Sequence, residues 1–128
     1  FTQNLSFTDI NKGWNFTDEK FDLIMFNLVL EHIENLEHIF NQANQKISEN
    51  GEIFISELHP FRQYIGSKAK FEINNQLTEL KVFVHNISEF FEVAQKFQFN
   101  CNSLKEWKSA EEEKDFPRLI SFIFMKDI

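Results

Sequence analysis

Two short apolar runs bracketing a helical stripe constrain this chain more than any other feature. Phe21-Asp22-Leu23-Ile24-Met25-Phe26 is nearly continuous and does not alternate. A run of that kind fits a strand buried on both faces, in a sheet covered by helices. Leu36, Ile39, Phe40, Ala43 and Ile47 then recur at steps of three and four, which is one apolar face of a helix. Asn35 is placed to cap its start, and Asn50-Gly51 is predicted to stop it through a left-handed residue. Glu52-Ile53-Phe54-Ile55-Ser56-Glu57 follows at once as a second buried strand. Residues 21–57 are therefore expected to form a strand–helix–strand unit with parallel strands.

Beyond it, Leu58-His59-Pro60 breaks the second strand. Residues 69–73 and 77–84 flank Asn74-Asn75-Gln76 and read as a β-hairpin. Phe90, Phe91, Ala94 and Phe97 have helical spacing over 88–96, with Asn86 or Ser88 as cap and Asn86 with Glu89 as a capping box. Strands are predicted at 99–107 and 119–125, joined by a charged loop ending at Pro117. Lacking a crossover helix, they should be antiparallel. The 17 Phe among 128 residues provide enough apolar area for one packed core. The expectation is a single domain over residues 1–128, with an insertion at about 61–85.

A net charge of −7 with scattered Lys and Arg argues against a nucleic-acid partner, which requires clustered cations. The one charge block, Glu111-Glu112-Glu113, is acidic and reads as a solvated loop. No apolar run is long enough to span a bilayer, and Cys101 is the lone cysteine. No membrane partner and a reducing, cytoplasmic location are the expectations.

Phe7-Thr8-Asp9-Ile10, Trp14-Asn15-Phe16, Phe21-Asp22-Leu23-Ile24 and Asn27-Leu28-Val29-Leu30-Glu31-His32-Ile33 together resemble the middle of class I S-adenosylmethionine-dependent methyltransferases. In that family an aspartate follows the third strand, a Phe-Asp-Leu opens the fourth, and a leucine-rich turn ending in His comes after it. Asn50-Gly51 before Ile53-Phe54-Ile55, and Phe97-Gln98-Phe99 before the last two strands, fit the same pattern. The resemblance covers almost the whole chain and is strongest from Phe7 to Pro60. It implies an α/β fold: a Rossmann-like methyltransferase sheet truncated at its N-terminus. The central strands would be parallel, the final strand antiparallel, and a β-hairpin inserted.

The resemblance implies S-adenosylmethionine as cofactor. Asp9 would accept a hydrogen bond from the adenine amino group, and Ile10 would offer its backbone N–H to the ring. Asp9 as an Asx-type turn residue is the structural alternative. Asn27 and Leu28 lie at a strand's C-terminal end, where open α/β sheets bind ligands, and their backbone would face the methionine part of the cofactor. Trp14 and Phe16 are candidates to pack near the adenine or in the core. The family's D/E-x-G-x-G-x-G loop has no counterpart among Gly13, Gly51 and Gly66, so two βα units are expected upstream and the chain alone should be inactive.

Methyl transfer needs alignment more than a fixed catalytic motif, with a base only if the acceptor loses a proton. His59 is the first candidate for base or substrate contact, Glu57 its orienter, and His32 the second candidate. A hydrogen bond at a turn is the structural alternative for each His, and an ion pair with Arg62 or Lys70 for Glu57. Arg62, Tyr64 and Lys70 are candidates to contact a small-molecule acceptor; Lys68 could line the same pocket, and His85 could face it, with capping of the last helix as the simpler alternative. No His or Cys spacing matches a metal signature, so no metal is expected. The competing reading is a non-catalytic module, forming homo-oligomers through exposed sheet edges.

Overall fold

The computed structural model describes residues 8–65, 70–73, 76–79, 81–110 and 116–126, and the side chains of 70–80 are not among them. Strand β1 (Phe21–Asn27) is followed by a 3-10 turn (Leu30–His32) and helix α1 (Leu36–Lys46). Strand β2 (Ile47–Leu58) and the one-turn helix α2 (Pro60–Tyr64) come next. A two-stranded sheet, β3 (Lys70–Ile73) with β4 (Gln76–Glu79), precedes helix α3 (Ile87–Lys96) and strands β5 (Phe99–Trp107) and β6 (Leu119–Lys126). The main sheet runs in the order β1-β2-β6-β5. β1 and β2 are parallel, while β6 lies antiparallel to both β2 and β5. The expected parallel pair and the antiparallel final pair are both present, and β5 consequently points the same way as β1 and β2.

One face of this sheet carries the core. Phe26, Ile53, Ile55, Phe99, Ile120, Phe122 and Phe124 are buried there, facing Leu36, Ile39, Phe40 and Ala43 of α1 and Phe90, Val93 and Ala94 of α3. Ring contacts fix the layer: Phe40 meets Phe124 edge-on at 5.5 Å, and Phe90 stacks on Phe122 at 4.8 Å. On the opposite face Leu23 and Met25 remain more than half exposed. β1 alternates because only this one face is covered within the described residues, whereas its sequence predicted burial on both.

Three boundaries differ from the sequence reading. α1 ends at Lys46, and Ile47 leaves it in extended geometry (φ −85°, ψ 139°) to begin β2. Ile47 satisfies the helical stripe as its last member, but its branched side chain suits a strand equally well. Asn50-Gly51 is therefore no helix stop. It lies where the pairing jumps from Phe21↔Ile47 to Leu23↔Glu52. A Cβ at Gly51 would stand 2.7 Å from Ile47 Cγ1 and 3.0 Å from the Phe21 carbonyl, so close approach explains the glycine.

α3 starts at Ile87 with Asn86 at its cap position, yet the Asn86 side chain makes no capping bond. The Glu89 carboxylate instead meets His85 Nδ1 at 2.8 Å, which replaces the expected capping box. The hairpin is also shorter than predicted. Its second strand ends at Glu79, and Phe83 N–H donates to the Glu31 carbonyl at 2.7 Å, tying this segment to the 3-10 turn. Asn74-Asn75 lie outside the described residues. No helix among the described residues is long and apolar enough to cross a membrane.

Candidate functional site

Because β1, β2 and β5 run the same way, Asn27, Leu58 and Trp107 end on one rim of the sheet, where β6 begins at Leu119. Open α/β sheets bind ligands on this side. At the end of β1 the chain turns sharply: Leu28 has φ 54°, and its N–H donates to the Ser56 carbonyl at 2.8 Å. A non-glycine residue in that region is uncommon and persists only where its surroundings hold it. Leu28 is nearly half exposed, so backbone and side chain both border the rim.

Glu57 holds the turn. Its Oε1 accepts from Leu30 N–H at 3.0 Å and its Oε2 from Val29 N–H at 3.2 Å, while the side chain is almost fully buried. Burial pushes its pKa from 4.5 up to about 7, against the backbone N–H groups of Val29, Glu31 and Leu30, which favour the anion. The neighbouring Glu31 charge adds a smaller upward push. Behind the turn lies a small recess of about 10 Å³, lined by Glu31, Glu57, Gln63 and His85 with Leu30 and Phe90. The Gln63 Nε2 is buried with no hydrogen-bond partner among the described residues.

His59 caps α2, with Nδ1 accepting from Phe61 N–H at 3.1 Å. Nδ1 therefore carries the lone pair, and Nε2–H donates to Glu106 Oε2 at 2.6 Å. His59 is buried; the Glu106 side chain is half exposed. His32 has the reverse tautomer, since Nδ1 donates to the Lys81 carbonyl at 3.1 Å. In the neutral form the lone pair is then on Nε2, 3.6 Å from the Glu31 carboxylate on a partly exposed ring.

Before β1, Asp9 Oδ1 accepts from Asn11 N–H and Nδ2 at 3.0 and 3.2 Å. The Trp14 indole N–H donates to the Ile10 carbonyl, and its backbone N–H to Gln42 Oε1. Buried Trp14 packs 6.2 Å from Phe26, which holds the Asp9–Trp14 segment against α1 and the C-terminal half of β1.

This geometry agrees with known proteins. A family model described as a methyltransferase domain matches residues 2–121. The chain belongs to the methyltransferase-domain family. Among solved structures, the methyltransferase domain is similar to an S-adenosylmethionine-dependent methyltransferase from Clostridium acetobutylicum ATCC 824, with TM-score 0.77 and 13% identity over 100% of this chain and 66% of that one. A counterpart from Mesorhizobium loti gives 0.74 at 15% identity, over 93% and 68% of the two chains. The glycopeptide N-methyltransferase MtfA, solved with (S)-adenosyl-L-methionine, gives 0.63 at 9% identity, over 94% and 63%. The domain thus spans about two thirds of the length of these structures. No curated protein sequence matches it.

The methyltransferase domain does not pair the candidate residues as the sequence suggested. Glu57 does not orient His59: β2 ends at Leu58, so His59 turns away to cap α2 while Glu57 remains beneath the Leu28 turn. Nor does Glu57 form an ion pair with Arg62, which is buried and donates from Nε to the Pro117 carbonyl at 3.4 Å. Tyr64 is exposed at the end of α2. Lys70 opens β3, and its side chain lies outside the described residues. Asp9 adopts the Asx-turn arrangement, which leaves Oδ2 and the Ile10 N–H without a partner among the described residues. Trp14 is a core residue, whereas Phe16 is nearly half exposed.

Sequence reasoning missed Glu106, the partner of His59 across 47 residues. The signal available was a carboxylate at the end of the strand predicted over 99–107. Among the described residues, no cluster of three His, Cys, Asp or Glu side chains could hold a metal ion.

Proposed function

We propose that this domain forms the adenine- and acceptor-side rim of a methyltransferase that moves a methyl group from S-adenosylmethionine to a small molecule. The observation that carries this reading is the left-handed Leu28 turn, held half exposed at the end of a parallel strand. The acceptor and donor in the segment before β1 suit the cofactor. Among the described residues Asp9 Oδ2 is an open acceptor and the Ile10 N–H an open donor, adjacent in sequence as one purine edge requires.

When bound, the cofactor supplies a sulfonium-activated methyl group, so the residues here have to align, desolvate and, for a protic acceptor, take up a proton. Asp9 and Ile10 hold the adenine end, and the Asn27–Leu28 backbone borders the methionine end. His32, with its lone pair at Nε2, is better presented as a base than His59, whose two nitrogens are engaged. In this reading exposed Tyr64, at the end of α2, and Lys70, at the start of β3, contact the acceptor. The net charge of −7 favours a small acceptor over nucleic acid. With three scattered glycines and no glycine-rich loop, the 128-residue chain by itself binds weakly and turns over no substrate.

Adding S-adenosylhomocysteine to the isotope-labelled chain is expected to shift the amide resonances of Ile10, Asn27 and Leu28 before others. Uniformly unmoved resonances at millimolar ligand would end this reading.

A second reading has its own support. β1 pairs only with β2 among the described strands, and an apolar groove of about 250 Å³ runs along it, lined by Trp14, Phe16, Phe21, Leu23 and Ile24. An open edge of this kind favours association with another copy. Light scattering showing a wild-type dimer that Leu23→Lys with Met25→Lys dissolves would support a self-associating module; a monomeric wild type would dismiss it.

A further inference from the structure

We infer that Glu57 is the positioning residue of this site: its buried carboxylate sets the shape of the Leu28 turn, and its protonation state tunes how well that turn receives the cofactor. The inference rests on the methyl-transfer reading and assigns Glu57 no contact with the reacting atoms.

The geometry gives three reasons. First, the N–H groups that Glu57 accepts belong to Val29 and Leu30, the two residues directly after Leu28. Leu28 holds φ 54° and is anchored from the other side by its own bond to Ser56, the residue before Glu57. The turn is thus clamped at adjacent positions of β2, through one backbone oxygen and one side chain. Second, both N–H groups would otherwise begin a 3-10 turn without acceptors, that of Leu30 in a fully buried place. Third, Glu57 is nearly inaccessible, and no Lys or Arg pairs with it among the described residues. A carboxyl so placed changes its hydrogen bonding when it changes charge. The anion accepts well at both oxygens, whereas the acid has one weaker acceptor.

Other titratable groups face it. Glu31 is on the same turn, with His32 3.6 Å from its carboxylate. His85, from the segment before α3, lines the same recess and is held by the Ile33 carbonyl and Glu89. From α2 the neutral Gln63 borders it, and across β6 Ile120 separates it from Glu106. Burial raises the Glu57 pKa to about 7, which brings the exchange near neutrality. Because His32 and His85 border the same turn and recess, the decisive comparison is between variants that all keep them.

The test uses the full chain in three forms: wild type, Glu57→Gln and Glu57→Ala. Without ligand, exchange protection of the Val29 and Leu30 amides is measured from pH 6 to pH 8.5. Measured against the slowest core amides of the same variant, wild-type protection of Val29 and Leu30 should grow relative to Glu57→Gln as the carboxyl ionises; in Glu57→Ala it should be lost. With S-adenosylhomocysteine as probe, affinity read from the Asn27 and Leu28 resonances should weaken about fivefold in the wild type between pH 8 and pH 6, the effect of one weakened buried hydrogen bond. Glu57→Gln should bind about as weakly as the wild type at pH 6 and show no such step. A purely structural Glu57 would leave the pH profiles of affinity parallel. Parallel profiles, or Val29 and Leu30 amides indifferent to all three side chains, would overturn the inference. If no resonance of the wild type responds to the probe, methyl transfer and the ligand half of the inference fail together, while the protection data alone still decide whether Glu57 holds the turn. Should Glu57→Ala not fold, the wild type and Glu57→Gln suffice.

Discussion

The stability of this domain should fall as pH rises from about 4.5 to 7, and Glu57→Gln should remove the fall. The Glu57 carboxyl has an ordinary pKa of 4.5 and is held at about 7 in the folded chain. The folded state therefore binds this proton more tightly than the unfolded state does. Its contribution is fully present below pH 4.5 and is lost as pH rises through about 7. At 1.36 kcal/mol per pH unit, the loss amounts to roughly 3 kcal/mol. Glu57→Gln has no such proton, but it turns an NH2 group toward one of the two N–H donors, costing about 1 kcal/mol at all pH values. The wild type should be more stable than Glu57→Gln below about pH 5 and less stable by about 2 kcal/mol above pH 7.5. Urea unfolding followed by the fluorescence of buried Trp14, at half-unit pH steps, measures both profiles. Profiles that stay parallel would show that burial does not set this ionisation. The reasoning would also fail if the wild type gained stability with pH relative to the variant.

Phe122→Ala removes a fully buried ring stacked on Phe90 and Phe124, and should cost about 3–5 kcal/mol in the same assay; under 1 kcal/mol would mean the aromatic layer is not close-packed. Gly51→Ala forces a methyl group against Ile47 and the Phe21 carbonyl and should cost about 1–3 kcal/mol, whereas an unchanged melting temperature would refute the close approach. His59→Ala and Glu106→Ala, alone and combined, should show a coupling energy of about 0.5–3 kcal/mol; additive effects would show that the 2.6 Å contact is not formed in solution.

The strand–helix–strand unit was legible because its signals are local: apolar runs at 21–26 and 52–57 and a stripe of three- and four-residue steps between them. Ile47 satisfies both periods, and only the pairing with Phe21 decides in favour of the strand. That β6 lies between β2 and β5 could not be read from any stretch of sequence, since strand order depends on contacts distant along the chain. At the candidate site, the positions after the parallel strands followed from the pattern, but their partners did not. Glu57 turned out to be held by backbone N–H groups, which have no residue identity to read. His59 found Glu106, whose pairing becomes visible only once β5 and β6 are registered.

The central place of β6 also bears on how the chain assembles. β5 has no hydrogen-bonded neighbour among the described strands other than β6, and Phe122 and Phe124 are the rings on which both long helices settle. A nascent chain emerging residue by residue can fold the β1–α1–β2 unit early, but β5 stays without a partner until residues 119–126 leave the ribosome. Cutting the chain at residue 110 should therefore do more than shorten the sheet: it would strand β5 and leave the greasy underside of α3 bare. Until that late-arriving keystone is made, apolar surface that it would cover stays open to mispairing.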